Sequence, residues 1–154
     1  QQMREAVAAL APLLGDALVV SVAAGIRARD LSRWLGGHRR IVRAMPNTPA
    51  LIGMGVTGLA ALPATSAADR ETAERVLGAV GPTVWVDDEA LLDAVTALSG
   101  SGPAYVFLFM EAMVDAGVHL GFSRHIAEKM VLQTMRGAVE YAAQSGEPAS
   151  VCWV

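Results

Sequence analysis

ALVVSVAAGIRARDLSRWLGGHRRIVRAM, residues 17–45, decides the fold. Ala17–Gly25 is a continuous apolar run of strand length, β-branched in its first half. Such a run predicts a strand covered on both faces. Ile26–Gly37 is long enough for a short helix and ends in glycines. Arg40–Met45 predicts a second strand. Strand, helix, strand is a crossover unit, so the two strands should run parallel and the connection should be right-handed.

The pattern continues outward in both directions. Upstream, Val7, Leu10, Leu13 and Leu14 recur at helical spacing and Gly15 is a stop signal, which predicts a helix over 2–14. Downstream come the Pro- and Gly-rich loop 46–55, a third strand over 56–62, a helix over 69–80 and a fourth strand over 83–86. Ala73, Val76, Leu77 and Val80 share one face of that helix. Composition then changes. Asp87–Leu98, Pro103 to Leu120, and Arg124 to Gln144 behind Ser123 as cap all read as helix. The fold class is therefore α/β followed by all-α, with the boundary near Val86 and domains at 1–86 and 87–154.

Composition excludes several functions. The net charge of −3 leaves no basic footprint for nucleic acid. One cysteine, Cys152, excludes an internal disulfide and a cysteine metal cluster. His38, His119 and His125 are scattered without ligand spacing. Apolar residues reach 53% and mean hydropathy +0.40, which is high. The run Ala104–Met110 is followed by Glu111 and Asp115, so a subunit interface is the expectation rather than a membrane. No signal peptide is visible in these residues, and the cytoplasm is the expected compartment.

In an open parallel sheet, ligands bind beyond the carboxyl ends of the strands. There the first strand ends in Ala23, Ala24 and Gly25, which leave room for a flat ring or a phosphate. The second ends in Met45-Pro46-Asn47-Thr48-Pro49, a stiff loop presenting a carboxamide and a hydroxyl. Ordinary turn chemistry is the competing reading of each loop. No GxGxxG joins the first strand to a helix, and the glycines of 51–58 lead into a strand, so they read as turn residues. Glu89 either compensates a helix dipole or receives a substrate ammonium or iminium. Glu111 and Asp115 read as a solvated stripe. In Ser99-Gly100-Ser101-Gly102-Pro103, the proline suits a first helical turn and the glycines allow close approach to a helix or ligand. The helix that follows is apolar nearly all round, which points to burial between subunits.

VVSVAAGI (19–26), RIVRAMPNTPALIGMGVTGL (40–59), LLDAVTALSGSGPAYVFLFMEAMVDAGVHLGFSR (91–124) and SGEPASV (145–151) together resemble pyrroline-5-carboxylate reductase. The resemblance implies reduction of 1-pyrroline-5-carboxylate to L-proline with hydride from NADPH or NADH. It also implies a Rossmann-type domain and a helical domain that interleaves into a homodimer or higher homo-oligomer. It places Ala23, Ala24 and Gly25 beside the cofactor and Met45, Pro46 and Asn47 at its nicotinamide end. Glu89 would contact substrate, and Ser99 and Ser101 would line the pocket where the two domains meet. No catalytic nucleophile and no metal is implied.

The family pattern also includes a Gly-rich pyrophosphate turn upstream and a TSPGGTT-like motif downstream, where this chain reads Cys152-Trp153-Val154. The expectation is a partial or frame-disrupted gene product with little reductase activity of its own. A non-catalytic oligomerisation module, or a relic pairing with full-length subunits, is the alternative. Cofactor titration separates the two.

Overall fold

The computed structural model describes residues 2–152, so Trp153 and Val154 of the terminal stretch lie outside the described residues. The chain divides into two compact units, Gln1–Pro103 and Ala104–Val154.

The first unit contains α1 (Gln2–Leu10), β1 (Val19–Ser21), α2 (Ala28–Trp34), β2 (Ile41–Met45), β3 (Thr57–Ala61), α3 (Ala67–Leu77), β4 (Thr83–Trp85) and α4 (Leu91–Val95). The strands form one sheet in the order β1-β2-β3-β4. β1 and β2 are parallel, as the crossover predicts, with Val19 opposite Ile41 and Ser21 opposite Arg43. β3 runs antiparallel to β2, with Met45 opposite Gly58, and β4 is parallel to β3. The antiparallel pair departs from a purely parallel sheet for a local reason. Residues 46–56 hold one 3-10 turn, Thr48–Ile52, instead of a crossover helix, so the chain returns along the same edge.

Each face of the sheet has its own core. Ile41 packs with Val7, Ala28, Leu31 and Leu35 from α1 and α2. Val42, Ala44 and Leu59 pack with Ala73, and Leu77 joins them from α3. Alternation along β2 explains the division, since neighbouring residues point to opposite faces. Val76, expected on the core face of α3, is exposed instead. β1 differs from the expectation too. It is three residues long and stands at the edge of this sheet, and Val20 and Val22 are exposed.

α4 packs where β3 has no side chain. A Cβ on Gly58 would lie 2.7 Å from Val95 Cγ1 and 3.3 Å from Leu92 Cδ2. This contact holds α4 to the sheet, so the compact units divide at Pro103, beyond the composition change near Val86. The helix expected over 87–98 is shorter, because its last turn widens into a π turn, Thr96–Gly100.

One polar cluster fixes the start of α3. Ser66 and Asp69 form a capping box, and Arg40 grips both Asp69 oxygens, with Nε at 3.1 Å and Nη2 at 2.6 Å. The Arg40 guanidinium holds the Asp69 carboxyl down at about 2, against its ordinary 3.8, and Ser66 adds to the effect. A depressed folded-state pKa stabilises above the unfolded value and ceases to do so below the folded one. The melting temperature is therefore expected to fall as pH drops from 3.8 toward about 2. Asp69→Asn should lower it at neutral pH and flatten that acid limb. A set of thermal melts across this range checks both.

The second unit holds most of α5 (Gly102–His119) and all of α6 (Arg124–Ser145). Ser123 occupies the N-cap of α6 without a side-chain hydrogen bond, and Gly146 closes it in the left-handed region at φ 69°. Val114, Ala127 and Val131 are the buried centre of this unit, flanked by Met110, Met113 and Met135. The expected carboxylate stripe is partly engaged, since Asp115 pairs with Arg124 at 2.7 Å on the surface. Tyr105, Val106, Phe107, Leu108 and Phe109 are exposed. The continuous helical run Leu91–His119 is, by length and composition, long and apolar enough to cross a membrane.

Candidate functional site

β1 and β2 end at the same edge of the sheet, and β3 begins there because it is antiparallel. Three segments of the first unit converge on that edge: the turn after β1, the loop after β2 and the π turn after α4. They carry all but one of the expected site residues. The exception, Glu89, reaches toward the edge from the turn before α4.

After β1, Ala23 donates its N–H to Ser21 Oγ at 3.3 Å, and Ala24-Gly25 make a turn. Gly25 has φ 74°, and a Cβ there would meet nothing within 4 Å. Ala24 and Gly25 are exposed, so the space over this turn is open.

Asn47 follows β2 with both ends of its carboxamide engaged. Oδ1 accepts from the N–H of Val56 at 2.9 Å, and Nδ2 donates to the carbonyl of Ser99 at 3.1 Å. Ser99 Oγ donates to the carbonyl of Val95 at 3.0 Å, and the Ser101 N–H closes the π turn on the carbonyl of Thr96 at 2.8 Å. Met45 packs under this turn, its Cε 3.0 Å from where a Cβ on Gly100 would stand. Met45, Pro46, Asn47, Ser99 and Ser101 are all partly buried.

Glu89 is held from below. It precedes α4 and does not sit within its first turn. Its Oε1 accepts from the N–H of Ala28 at 2.6 Å, so it serves the N-terminus of α2, a different helix from the one expected. The same oxygen accepts from Arg43 Nη1 at 2.8 Å. The Arg43 side chain is 5% exposed and that of Glu89 26%. A buried guanidinium requires such a partner, since removing the carboxylate leaves an uncompensated charge. Glu89 is thus committed to structure through one oxygen, leaving Oε2 as its free acceptor among the described residues.

Sequence reasoning did not find Arg43. The available signal was a lone cation inside the otherwise apolar run Ile41–Met45, which in a central strand demands a buried anion. It also read Asn47 as a ligand-facing or turn residue, and not as a link to Ser99. Among the described residues no group of three or more His, Cys, Asp or Glu side chains is placed to hold a metal ion.

Residues 89–152 match the family described as pyrroline-5-carboxylate reductase dimerisation. The chain is 53% identical over 153 residues to the pyrroline-5-carboxylate reductase of Pseudomonas aeruginosa, covering 98% of this chain and 56% of that protein. It is 42% identical over 148 residues to that of Pisum sativum, covering 96% and 54%. Among solved structures, the pyrroline-5-carboxylate reductase of Coxiella burnetii superposes with a TM-score of 0.90 at 38% identity, over 97% of this chain and 56% of that one. The Plasmodium falciparum pyrroline carboxylate reductase with NADP bound gives 0.86 at 33% identity, over 96% and 59%. The chain therefore spans a little over half the length of these relatives.

Proposed function

We propose that this chain, which over the stretch it covers belongs to the pyrroline-5-carboxylate reductase family, is part of an enzyme that reduces 1-pyrroline-5-carboxylate to L-proline. The observation that carries the proposal is the convergence of the β1 turn, the β2 loop and the π turn at one sheet edge, in a chain 53% identical to a protein of that name. The cofactor of this reading is NADPH or NADH, which supplies the hydride when bound. The open space over Gly25, with no Cβ to fill it, fits such a group. Ala23, Ala24 and Gly25 would line it on one side, and Met45, Pro46 and the main chain of Asn47 on the other.

Hydride transfer to a C=N carbon asks the protein chiefly for proximity, orientation and exclusion of water. Ser99 and Ser101 supply hydroxyls and main-chain polar groups for a small, polar imino acid. Glu89 offers Oε2 to a cationic iminium, and Arg43, bonded to Oε1, holds the carboxylate in place. The partner is a second copy of the chain, joined through α5 and α6, and the cytoplasm is the compartment this reading implies.

The test is NADPH oxidation by the native protein that contains these 154 residues. Absorbance loss that depends on added pyrroline-5-carboxylate, with proline as product, is the expected result. Cofactor binding without turnover would sink the substrate assignment. Assembly without cofactor binding would favour the oligomerisation module instead.

A further inference from the structure

Asn47 stands at the N-cap of the 3-10 turn Thr48–Ile52, yet its side chain makes no capping hydrogen bond. Capping is the usual use of asparagine at such a position. Here the carboxamide is diverted to two distant segments, and each has a reason to need it.

The first is the π turn. In a regular helix the carbonyl of Ser99 would accept from the N–H four residues on, but that residue is Pro103, which has none. Asn47 Nδ2 supplies the missing donor at 3.1 Å. The second is the start of β3, where the N–H of Val56 needs an acceptor and Asn47 Oδ1 provides it at 2.9 Å. One end must donate and the other accept, so the chemistry itself fixes the orientation of the amide. Aspartate could meet only the Val56 half of the demand. Leucine could meet neither.

We propose that Asn47 is a positioning residue that bolts the π turn Thr96–Gly100 to the loop after β2, and thereby sets where Ser99 and Ser101 stand relative to Met45 and Pro46. The Met45–Gly100 contact forms the second half of the same joint. Wide helical turns concentrate at functional sites, and this one would otherwise be free to relax into the regular helix on either side. The proposal rests on the reductase reading for its catalytic consequence, but the bolt itself does not.

Two measurements on Asn47→Asp and Asn47→Leu test it. Hydrogen exchange should quicken roughly tenfold across 96–101 in both variants, the order expected for losing one hydrogen bond. The Val56 amide should stay protected in Asn47→Asp and lose protection in Asn47→Leu. In steady-state kinetics, Asn47→Asp should lower kcat about 10- to 100-fold, the scale of a small misplacement of reacting groups, with the KM for the nicotinamide cofactor within a factor of about two. A direct cofactor contact would instead raise that KM. Unchanged exchange across 96–101, or an Asn47→Asp kcat within twofold of wild type, overturns the proposal. If the wild-type protein turns over no pyrroline-5-carboxylate, the reductase reading fails, and exchange alone decides the bolt.

Discussion

Gly81→Ala is expected to cost the first unit about 3 kcal/mol or more, and its sheet should melt far below the wild type. Two independent effects add. Gly81 has φ 137° and ψ 171°, a region that only glycine adopts without strain. In addition, a Cβ there would lie 1.9 Å from the carbonyl oxygen of Gly55 and 2.6 Å from its carbon. That neighbour is backbone and cannot swing aside. It is also pinned, since the Gly55 N–H bonds the carbonyl of Val80 at 2.9 Å and the Thr57 N–H bonds that of Pro82 at 3.0 Å. Relief would have to separate β3 from β4. Gly78→Ala is the control, because Gly78 is helical and a Cβ there meets nothing within 4 Å. That change should be neutral or stabilise by about 0.4–1 kcal/mol. Thermal melts of the two variants should therefore diverge in opposite directions from wild type. Equal melting temperatures would refute the crowding argument.

The contrast between these glycines bears on what a sequence can reveal. Both lie in GAVG, Gly78–Gly81, and only Pro82 after Gly81 separates them locally, which marks a turn but not the crowding. The difference comes from Gly55, more than twenty positions away, brought near because β3, on its antiparallel return from β2, pairs in parallel with β4. That return was itself hidden in the sequence. Strand runs and helix periodicity were legible, so β2, β3, α3, α5 and α6 stand within a few residues of their expected places. The direction of β3 was not, because it depends on whether residues 46–56 form a crossover helix, and prolines at 46 and 49 only argue against one.

The candidate site was legible to a similar depth. The loops after β1 and β2 could be picked out as site candidates because small and stiff residues followed strand-like runs. Their physical roles were not visible. Asn47 reaches fifty-two positions along the chain to Ser99, and Glu89 reaches sixty-one back to Ala28. Hydrogen bonds of that span leave no periodic trace. Arg43 left a trace, a charge within an apolar run, whose meaning appears only when β2 is known to be central and covered on both faces.

On the proposed homo-oligomer reading, Leu108→Glu together with Phe109→Glu is expected to convert the assembly to a monomer. In the chain itself these side chains are 67% and 58% exposed, with Tyr105 and Phe107 equally uncovered. By helical spacing, Tyr105, Leu108 and Ala112 lie opposite Met110, Val114 and Gly117, the stripe that packs toward α6. A helix apolar on both stripes needs cover from outside the chain. The match of residues 89–152 to a dimerisation family supports the proposal that a second copy is the occupant. In a two-fold interface each substitution counts twice, and each buried leucine or phenylalanine contributes about 1.5–3 kcal/mol. Four lost side chains then weaken association by at least about 6 kcal/mol, roughly four orders of magnitude in Kd. Glutamate is a good helix former and the buried Val114–Ala127–Val131 centre is untouched, so α5 should stay helical. Sedimentation for mass and circular dichroism for helicity check the two halves separately. An unchanged mass with intact helicity would place the interface elsewhere. A wild-type protein that is extracted only with detergent would instead make the run Leu91–His119 a membrane helix and overturn the dimer reading.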